Sequence, residues 1–243
     1  MVEPVGLPHA VLDLTSRQRK AVKIELLLGL ANREQPIRLL EIGTGAGGIA
    51  HYFAQHPTLV CRVTAGDVTD QRIVRDGYHF ERLSGSTLPF DDRTFDVVIS
   101  NHVIEHVGNR AAQLVHLRSI RRVLDVGGEA YLAVPNRWMV VEPHFRLPFL
   151  SWLPPALRSP YVRLLRRGDR YDCTPPSARA LDALVREAGL CAEALEHRAV
   201  HALIAADPNA GWPVRLAGRL PAWCVRAARP LIPTLIVRLT ASE

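Results

Sequence analysis

Polar and apolar positions change their spacing repeatedly along the chain, and each change marks an element. The helix-capping run Asp13-Leu-Thr-Ser16 precedes a helical pattern that continues to about Arg33, where Gln35-Pro36 stops it. Ile37–Ile42 is short and mostly apolar, which predicts a buried strand, and a cluster of glycines follows it at once. A helix is expected over Ile49–Gln55, then a second strand over Leu59–Ala65 that ends at Gly66-Asp67. The pattern next predicts a short helix around Gln71–Asp76, a strand near Phe80–Leu83 and a buried strand over Phe95–Ser100. A helix over Arg110–Leu124 and, after the Gly127-Gly128 turn, a strand over Glu129–Val134 complete this part.

Strands that alternate with helices at this spacing imply parallel β-α-β units, and hence an α/β, doubly wound sheet. The alternation breaks at Pro135–Pro176, a stretch rich in Pro, Trp, Tyr and Arg with no clean period. A capped helix resumes over Ser177–Ala188 and is closed by Gly189. Two apolar segments, Leu190–Leu195 and Ala199–Ala205, are expected to close the sheet as an antiparallel pair. The chain thus divides into an N-terminal helical segment (1–36), a main domain (37–207) with an insertion at about 136–176, and a Pro-interrupted segment (208–243).

Composition narrows the class without naming a function. Of the 243 residues 48% are hydrophobic and 22% charged, enough apolar mass for one core in an ordinary soluble chain. The net charge of +6 comes almost wholly from arginine, since Lys20 and Lys23 are the only lysines. It permits contact with nucleic acid or an anionic membrane but does not require either. Cys61, Cys173, Cys191 and Cys224 are scattered without a C-x-x-C pair, so buried free thiols are expected rather than disulfides or a zinc spacing. No basic-then-apolar leader pattern is visible, and no apolar run approaches the ~20 residues that span a bilayer. A cytoplasmic location is expected, with attachment to a membrane surface left open.

The turn Leu39-Leu-Glu-Ile-Gly-Thr-Gly-Ala-Gly-Gly48 joins a strand to a helix. Gly43 and Gly45 let a ligand approach the backbone closely, and Gly47 and Gly48 let the helix begin tight against the sheet. The spacing Gly43-x-Gly45-x-x-Gly48 also satisfies the dinucleotide fingerprint. Glu41 separates the two readings. A pyrophosphate wants bare N–H groups at a helix start and would be repelled by a carboxylate beside them. S-adenosylmethionine carries an ammonium and a sulfonium instead, which a carboxylate favours. Asp67, about 20 residues after the glycines, is placed to accept both ribose hydroxyls of an adenosine-containing ligand, or else simply forms a Gly-Asp turn.

With these segments the sequence resembles the class I S-adenosylmethionine-dependent methyltransferases of the type 11, ubiquinone-pathway-like group. The likeness rests on Leu39–Gly48, Gly66-Asp67, Leu88-Pro-Phe-Asp-Asp-Arg-Thr-Phe-Asp-Val-Val-Ile-Ser-Asn-His-Val-Ile-Glu-His-Val107 and Arg122-Val-Leu-Asp-Val-Gly-Gly-Glu-Ala-Tyr-Leu-Ala-Val-Pro-Asn136. It implies a Rossmann-like, seven-stranded sheet, mostly parallel with an antiparallel last pair. It also implies that Glu41, Gly43, Gly45, Gly47, Asp67 and Asn101 line a pocket for S-adenosyl-L-methionine. Many relatives place an acid four residues before the Leu-Pro-Phe segment; this chain has Ser84 there, whose hydroxyl is offered to the adenine amino group.

His102-Val-Ile-Glu105-His106 formally fits an inverted zinc-protease pattern, but it follows a strand inside the methyltransferase motifs. Methyl transfer is an in-line displacement that needs the reactants held close and aligned. Where the acceptor is a hydroxyl a base helps, and His106 is the first candidate, His102 the second. The alternative is that Glu-His only caps the next helix. Ubiquinone-pathway O-methyltransferases are similar here and hold a divalent metal with acids and a histidine, so the resemblance offers His102, Glu105 and His106 as a metal set. The insertion covers the acceptor site in relatives, which makes Trp138, Glu142, His144 and Trp152 candidate substrate contacts, or else packing residues.

Past Asp207 the chain has arginines and no acid until Glu243. Arg215, Arg219, Arg226 and Arg229 share one arc of an ideal helix, a basic amphipathic pattern broken by Pro221, Pro230 and Pro233. Peripheral membrane contact and simple packing of Leu231–Val237 on the sheet both remain open. The expected partner is a small-molecule or lipid-linked acceptor. Nucleic acid is not expected, because Ser100-Asn-His-Val stands where amino-directed base methylation uses Asn/Asp-Pro-Pro-aromatic. A non-catalytic cofactor-binding domain is the remaining alternative.

Overall fold

The computed structural model describes residues 13–34, 36–207 and 211–242. Residues 1–12 of the expected N-terminal segment, Gln35 of its stop signal and Pro208 at the start of the expected tail lie outside the described residues. Helix α1 (Leu14–Leu28) opens on Asp13, whose side chain accepts from the Thr15 N–H at 3.1 Å, and closes on Gly29 in the left-handed region at φ 63°. Strand β1 (Ile37–Ile42), helix α2 (Gly48–Ala54), strand β2 (Cys61–Asp67), strand β3 (His79–Arg82) and strand β4 (Phe95–Asn101) follow. Then come α3 (Arg110–Val123), β5 (Leu124–Pro135), the small hairpin β6 (Val141–Glu142) and β7 (Leu147–Pro148), and α4 (Pro155–Leu164). The chain continues through α5 (Ala178–Glu187), β8 (Leu190–Ala194), α6 (Glu196–Ala206), α7 (Trp212–Gly218), α8 (Ala222–Ala228) and β9 (Thr234–Ala241).

Seven strands form one sheet in the order β3-β2-β1-β4-β5-β9-β8. β9 runs antiparallel between β5 and β8, and the pairings of β1 to β5 are parallel. This is the Rossmann-like, doubly wound sheet that the sequence predicts. Successive strand residues serve opposite faces, as the period of two requires. Leu40, Ile42 and Val98 join Leu117, Ile120, Leu181 and Leu184 in the core beneath α3 and α5. Leu39, Val97 and Ile99 join Ile24, Leu27 and Phe53 in the core beneath α1 and α2. The strand order reverses between β1 and β4, and the crevice outside their carboxyl ends is where such sheets bind ligands.

Three expectations are corrected. Ala199–Ala205 is not a strand: it lies in α6, whose Glu196, Ala199 and Ala202 are buried at three-residue steps, so its small apolar residues serve a helix face. The antiparallel partner of β8 is instead β9, from the segment expected to lie outside the main domain. Gln71–Asp76 is irregular, with bends at Ile73 and Asp76 and not a helix, and the N–H groups of Ile73 and Val74 bond the Ala46 carbonyl at 3.0 and 3.3 Å. Of the cysteines, all free, only Cys173 is buried, while Cys191 is exposed.

The insertion is ordered by an apolar cluster of its own, made of Phe145, Leu147, Leu150, Val162, Tyr171 and Cys173. It is stitched to the end of β4 at Tyr171–Thr174. The Thr174 N–H donates to the Glu105 carbonyl at 2.7 Å, and Gln113 Nε2 donates to the Thr174 carbonyl at 2.7 Å.

Candidate active site

The glycine turn after β1 is held from three sides. The Gly43 N–H donates to the Gly66 carbonyl at 2.7 Å, and the Gly45 N–H donates to the Asp67 carboxylate at 2.8 Å. Gly47 has φ 84°, and a Cβ there would lie 2.3 Å from the Tyr78 hydroxyl and 2.4 Å from the Val74 carbonyl oxygen, so glycine is obligatory. Arg17 of α1 stands over Gly48 and is buried.

Glu41 is 2% exposed at the end of β1 and accepts from Thr44 Oγ1 at 2.7 Å and from the Ala50 N–H at 3.0 Å. Burial pushes its carboxyl up to about 7, against the pull of Thr44, the Arg17 charge and the Ala50 N–H. Asp67 closes β2 and also accepts from the Thr69 N–H at 3.2 Å. Asn101 closes β4, buried, and its Nδ2 has no hydrogen-bond partner. A buried donor left over at the strand-order switch is a cost that a ligand acceptor removes. Ser84 lies exposed just past β3, whose Arg82 pairs with Asp67. Glu41, the glycines, Asp67 and Asn101 therefore share one edge of the sheet. The donor set fits an adenosine-bearing, cationic ligand: two carboxylates, a glycine turn open to close approach, and an orphaned amide.

The histidine corner abuts this turn, since a Cβ on Gly43 would meet Val103 Cγ2 at 2.4 Å. His102 has φ 59°, a left-handed conformation uncommon for a side-chain-bearing residue, and its N–H donates to the Ala133 carbonyl at 2.8 Å. Glu105 is fully buried and lies 3.4 Å from His102 Nδ1 and 3.9 Å from His106 Nε2. Burial raises its carboxyl, but the two imidazoles outweigh that and hold it below the ordinary range. Beneath it His116 is buried with Nε2 3.1 Å from Ser100 Oγ, and burial lowers it to about 4.

The insertion delivers two of the candidates, His144 and Glu142, to this corner. His144 reaches it, its ring edge-on to His106 with centroids 5.2 Å apart. Glu142 is buried and engaged by His144 Nδ1 at 2.8 Å and by the Phe145 N–H at 2.7 Å, so it acts through His144. Trp138 packs edge-on against Trp152 at 5.5 Å, and Trp152 Nε1 donates to the Met139 carbonyl at 2.8 Å. Sequence reasoning missed Arg17, His116 and Cys173, whose thiol lies 3.7 Å from His106 Nδ1. A separate cleft lined by Arg33, Arg38, Asp96 and Gly127 lies at the opposite edge of the sheet, where Arg38 ion-pairs with Asp96 and Asp125.

Residues 40–132 match a family model described as a methyltransferase domain. The chain carries a class I, S-adenosylmethionine-dependent methyltransferase domain. No curated protein sequence matches the chain significantly. Among solved structures, it is similar to 1,6-didemethyltoxoflavin-N1-methyltransferase from Burkholderia thailandensis at 17% identity and TM-score 0.53, over 94% of this chain and 80% of that one. It is also similar to a protein from Galdieria sulphuraria described as a putative sarcosine dimethylglycine methyltransferase, at 14% identity and TM-score 0.54, over 93% and 86%. The cyclase SpnF is similar too, at 17% identity and TM-score 0.54, over 93% and 80%. At such identities these likenesses concern the fold, and the cyclase among them shows that the methyltransferase domain's fold alone does not fix a reaction.

Proposed function

We propose that the protein transfers the methyl group of S-adenosylmethionine to a hydroxyl on a small-molecule or lipid-linked acceptor. The observation that carries this reading is the contact of Val103 with Gly43, which sets the histidine corner against the cofactor turn. S-adenosylmethionine supplies an electrophilic methyl on a sulfonium. Glu41, the glycine turn, Asp67 and Asn101 bind and orient it, with Ser84 at the rim.

The two candidate bases divide by geometry. His106 Nδ1 faces Cys173, and its ring is packed on His144. His102 stands next to Asn101, and its Nδ1 is turned to the buried Glu105, which steadies the ring and leaves Nε2 to take the acceptor proton. His102 is therefore assigned as the base and Glu105 as its positioning residue. Names among the structural neighbours favour a second reading, an amine nitrogen as acceptor: one is an N1-methyltransferase and another is described as acting on sarcosine and dimethylglycine.

Peripheral membrane contact is part of the proposal. Trp212, Leu216, Trp223 and Leu231 are exposed beside Arg215, Arg219 and Arg226 along α7, α8 and the turns that follow them, the mixture that suits an anionic lipid surface. Among the described residues no helix is long and apolar enough to cross a membrane.

A labelled-methyl transfer screen over phenols, sugars, polyprenyl lipids and small amines tests the reading. Transfer to a hydroxyl compound that His102→Ala lowers ~10²–10⁴-fold supports it. Turnover of amines alone selects the second reading, and binding of NAD without S-adenosylmethionine overturns both.

A further inference from the structure

We infer that the corner where the insertion meets β4 is a binding site for a single borderline-soft divalent ion of the zinc class, held by His106, His144 and Cys173. Each of the three offers one ligand atom, and these atoms all lie within 4.8 Å of one another. Cys173 Sγ and His106 Nδ1 are already 3.7 Å apart. Zinc bonds of about 2.0–2.1 Å to nitrogen and 2.3 Å to sulfur in a tetrahedron put ligand atoms roughly 3.3–3.6 Å apart. The remaining contraction, on the order of 1 Å, is within reach of side-chain rotation.

The surroundings are those of a cation site. His144 Nδ1 is held by the buried Glu142 at 2.8 Å, the carboxylate–histidine pairing that orients metal-bound imidazoles. Glu105, fully buried and 3.4 Å from His102 Nδ1, lies 3.9 Å from His106 Nε2. Asp172 approaches Cys173 Sγ at 3.7 Å. Three carboxylates stand around two half-buried imidazoles and a buried thiol, a concentration of acceptor atoms that a divalent cation neutralises. One thiolate with two imidazoles selects zinc over magnesium or calcium, and three protein ligands leave a fourth position for water or an acceptor oxygen.

This set differs from His102, Glu105 and His106. It ties the insertion, through His144 and Cys173, to the corner after β4 through His106. Nor does it depend on what the methyl acceptor is.

Metal content and cobalt spectra of the full chain test the site. After equilibration with zinc and gel filtration, elemental analysis is expected to find one ion per chain. Cobalt(II) added to metal-free protein is expected to give a thiolate charge-transfer band with intense visible bands of low coordination number. Cys173→Ser should abolish the charge-transfer band and weaken zinc at least 10-fold in chelator competition. His144→Ala should weaken it likewise, and Glu142→Gln by about 10–100-fold. Cys191→Ser, at an exposed thiol, should change nothing, and circular dichroism of each variant checks the fold. Absence of any cobalt–thiolate band in folded wild-type protein overturns the site. So does a folded Cys173→Ser variant with unchanged zinc affinity, including the case in which Glu105→Gln or His102→Ala alone removes the ion.

Discussion

The backbone N–H of Gly45 meets the carboxylate of Asp67 at 2.8 Å, so the turn after β1 and the end of β2 form one unit. Asp67 thus has two tasks, fixing the turn and presenting its remaining lone pairs at the ligand edge. Asp67→Asn is expected to weaken S-adenosylmethionine binding at least 10-fold by titration calorimetry while the thermal midpoint moves little. An unchanged Kd would remove Asp67 from the pocket.

Glu41 should make both stability and ligand affinity depend on pH, in opposite directions. Its folded carboxyl sits at about 7 against an ordinary 4.5. The folded state therefore holds this proton more tightly than the unfolded chain. Stability without ligand is full below about pH 4.5 and falls as the pH rises to about 7, by roughly 3 kcal/mol from this group. A cationic ligand prefers the ionised form, so affinity should rise over the upper part of the same range. Glu41→Gln should flatten both profiles, measured by urea unfolding and by calorimetry at several pH values.

Two glycines with positive φ give a graded test of the turn. Gly47→Ala combines strain with a clash against the Val74 carbonyl oxygen and is expected to cost at least about 2 kcal/mol. Gly85, at φ 91°, has nothing within 4 Å of a built Cβ, so Gly85→Ala should cost only the ~1–2 kcal/mol of the left-handed backbone. Equal losses in chemical denaturation would mean that the Gly47 contact relaxes freely.

Arg229 is set apart from the exposed Arg226 by its acidic partners. It bonds Glu196 at 2.9 Å, a residue whose side chain is 6% exposed, and Asp182 at 2.9 and 3.0 Å. Arg229→Ala leaves Glu196 buried without this cation and should cost about 3 kcal/mol in urea unfolding. Arg226→Ala, at an exposed position, should stay within ~0.5 kcal/mol but reduce flotation with anionic liposomes.

The strands and the glycine turn were legible in the sequence because their signals are local: apolar runs of strand length, the first two closed by Gly43 and by Gly66-Asp67. The edge that holds Glu41, Asp67 and Asn101 followed from the same run of motifs. Helix α6 was hidden because Ala199, Val200, Ala202, Leu203 and Ile204, interrupted only at His201, read as an apolar stretch at any period. Strand β9 was hidden because its place is set by β5, some hundred residues earlier, and prolines precede it. The meeting of His106, His144 and Cys173 has no local pattern at all. Only the packing of Phe145, Tyr171 and their neighbours, with the Thr174–Glu105 backbone bond, brings those segments together.

The position of β9 also bears on how the chain folds. It fills the slot between β5 and β8 in the sheet, yet it is the last strand in the described chain. Until it arrives, β5 offers an open row of backbone donors and acceptors beside Leu132 and Val134, which β9 later covers with Val237 and Leu235. That is a sticky, strand-accepting edge, and closing it requires contacts of high sequence separation. A nascent or truncated chain without β9 should therefore resemble an unfinished zipper, slow to settle and ready to pair with a neighbour, and helper proteins or a bound ligand would matter most at that last step.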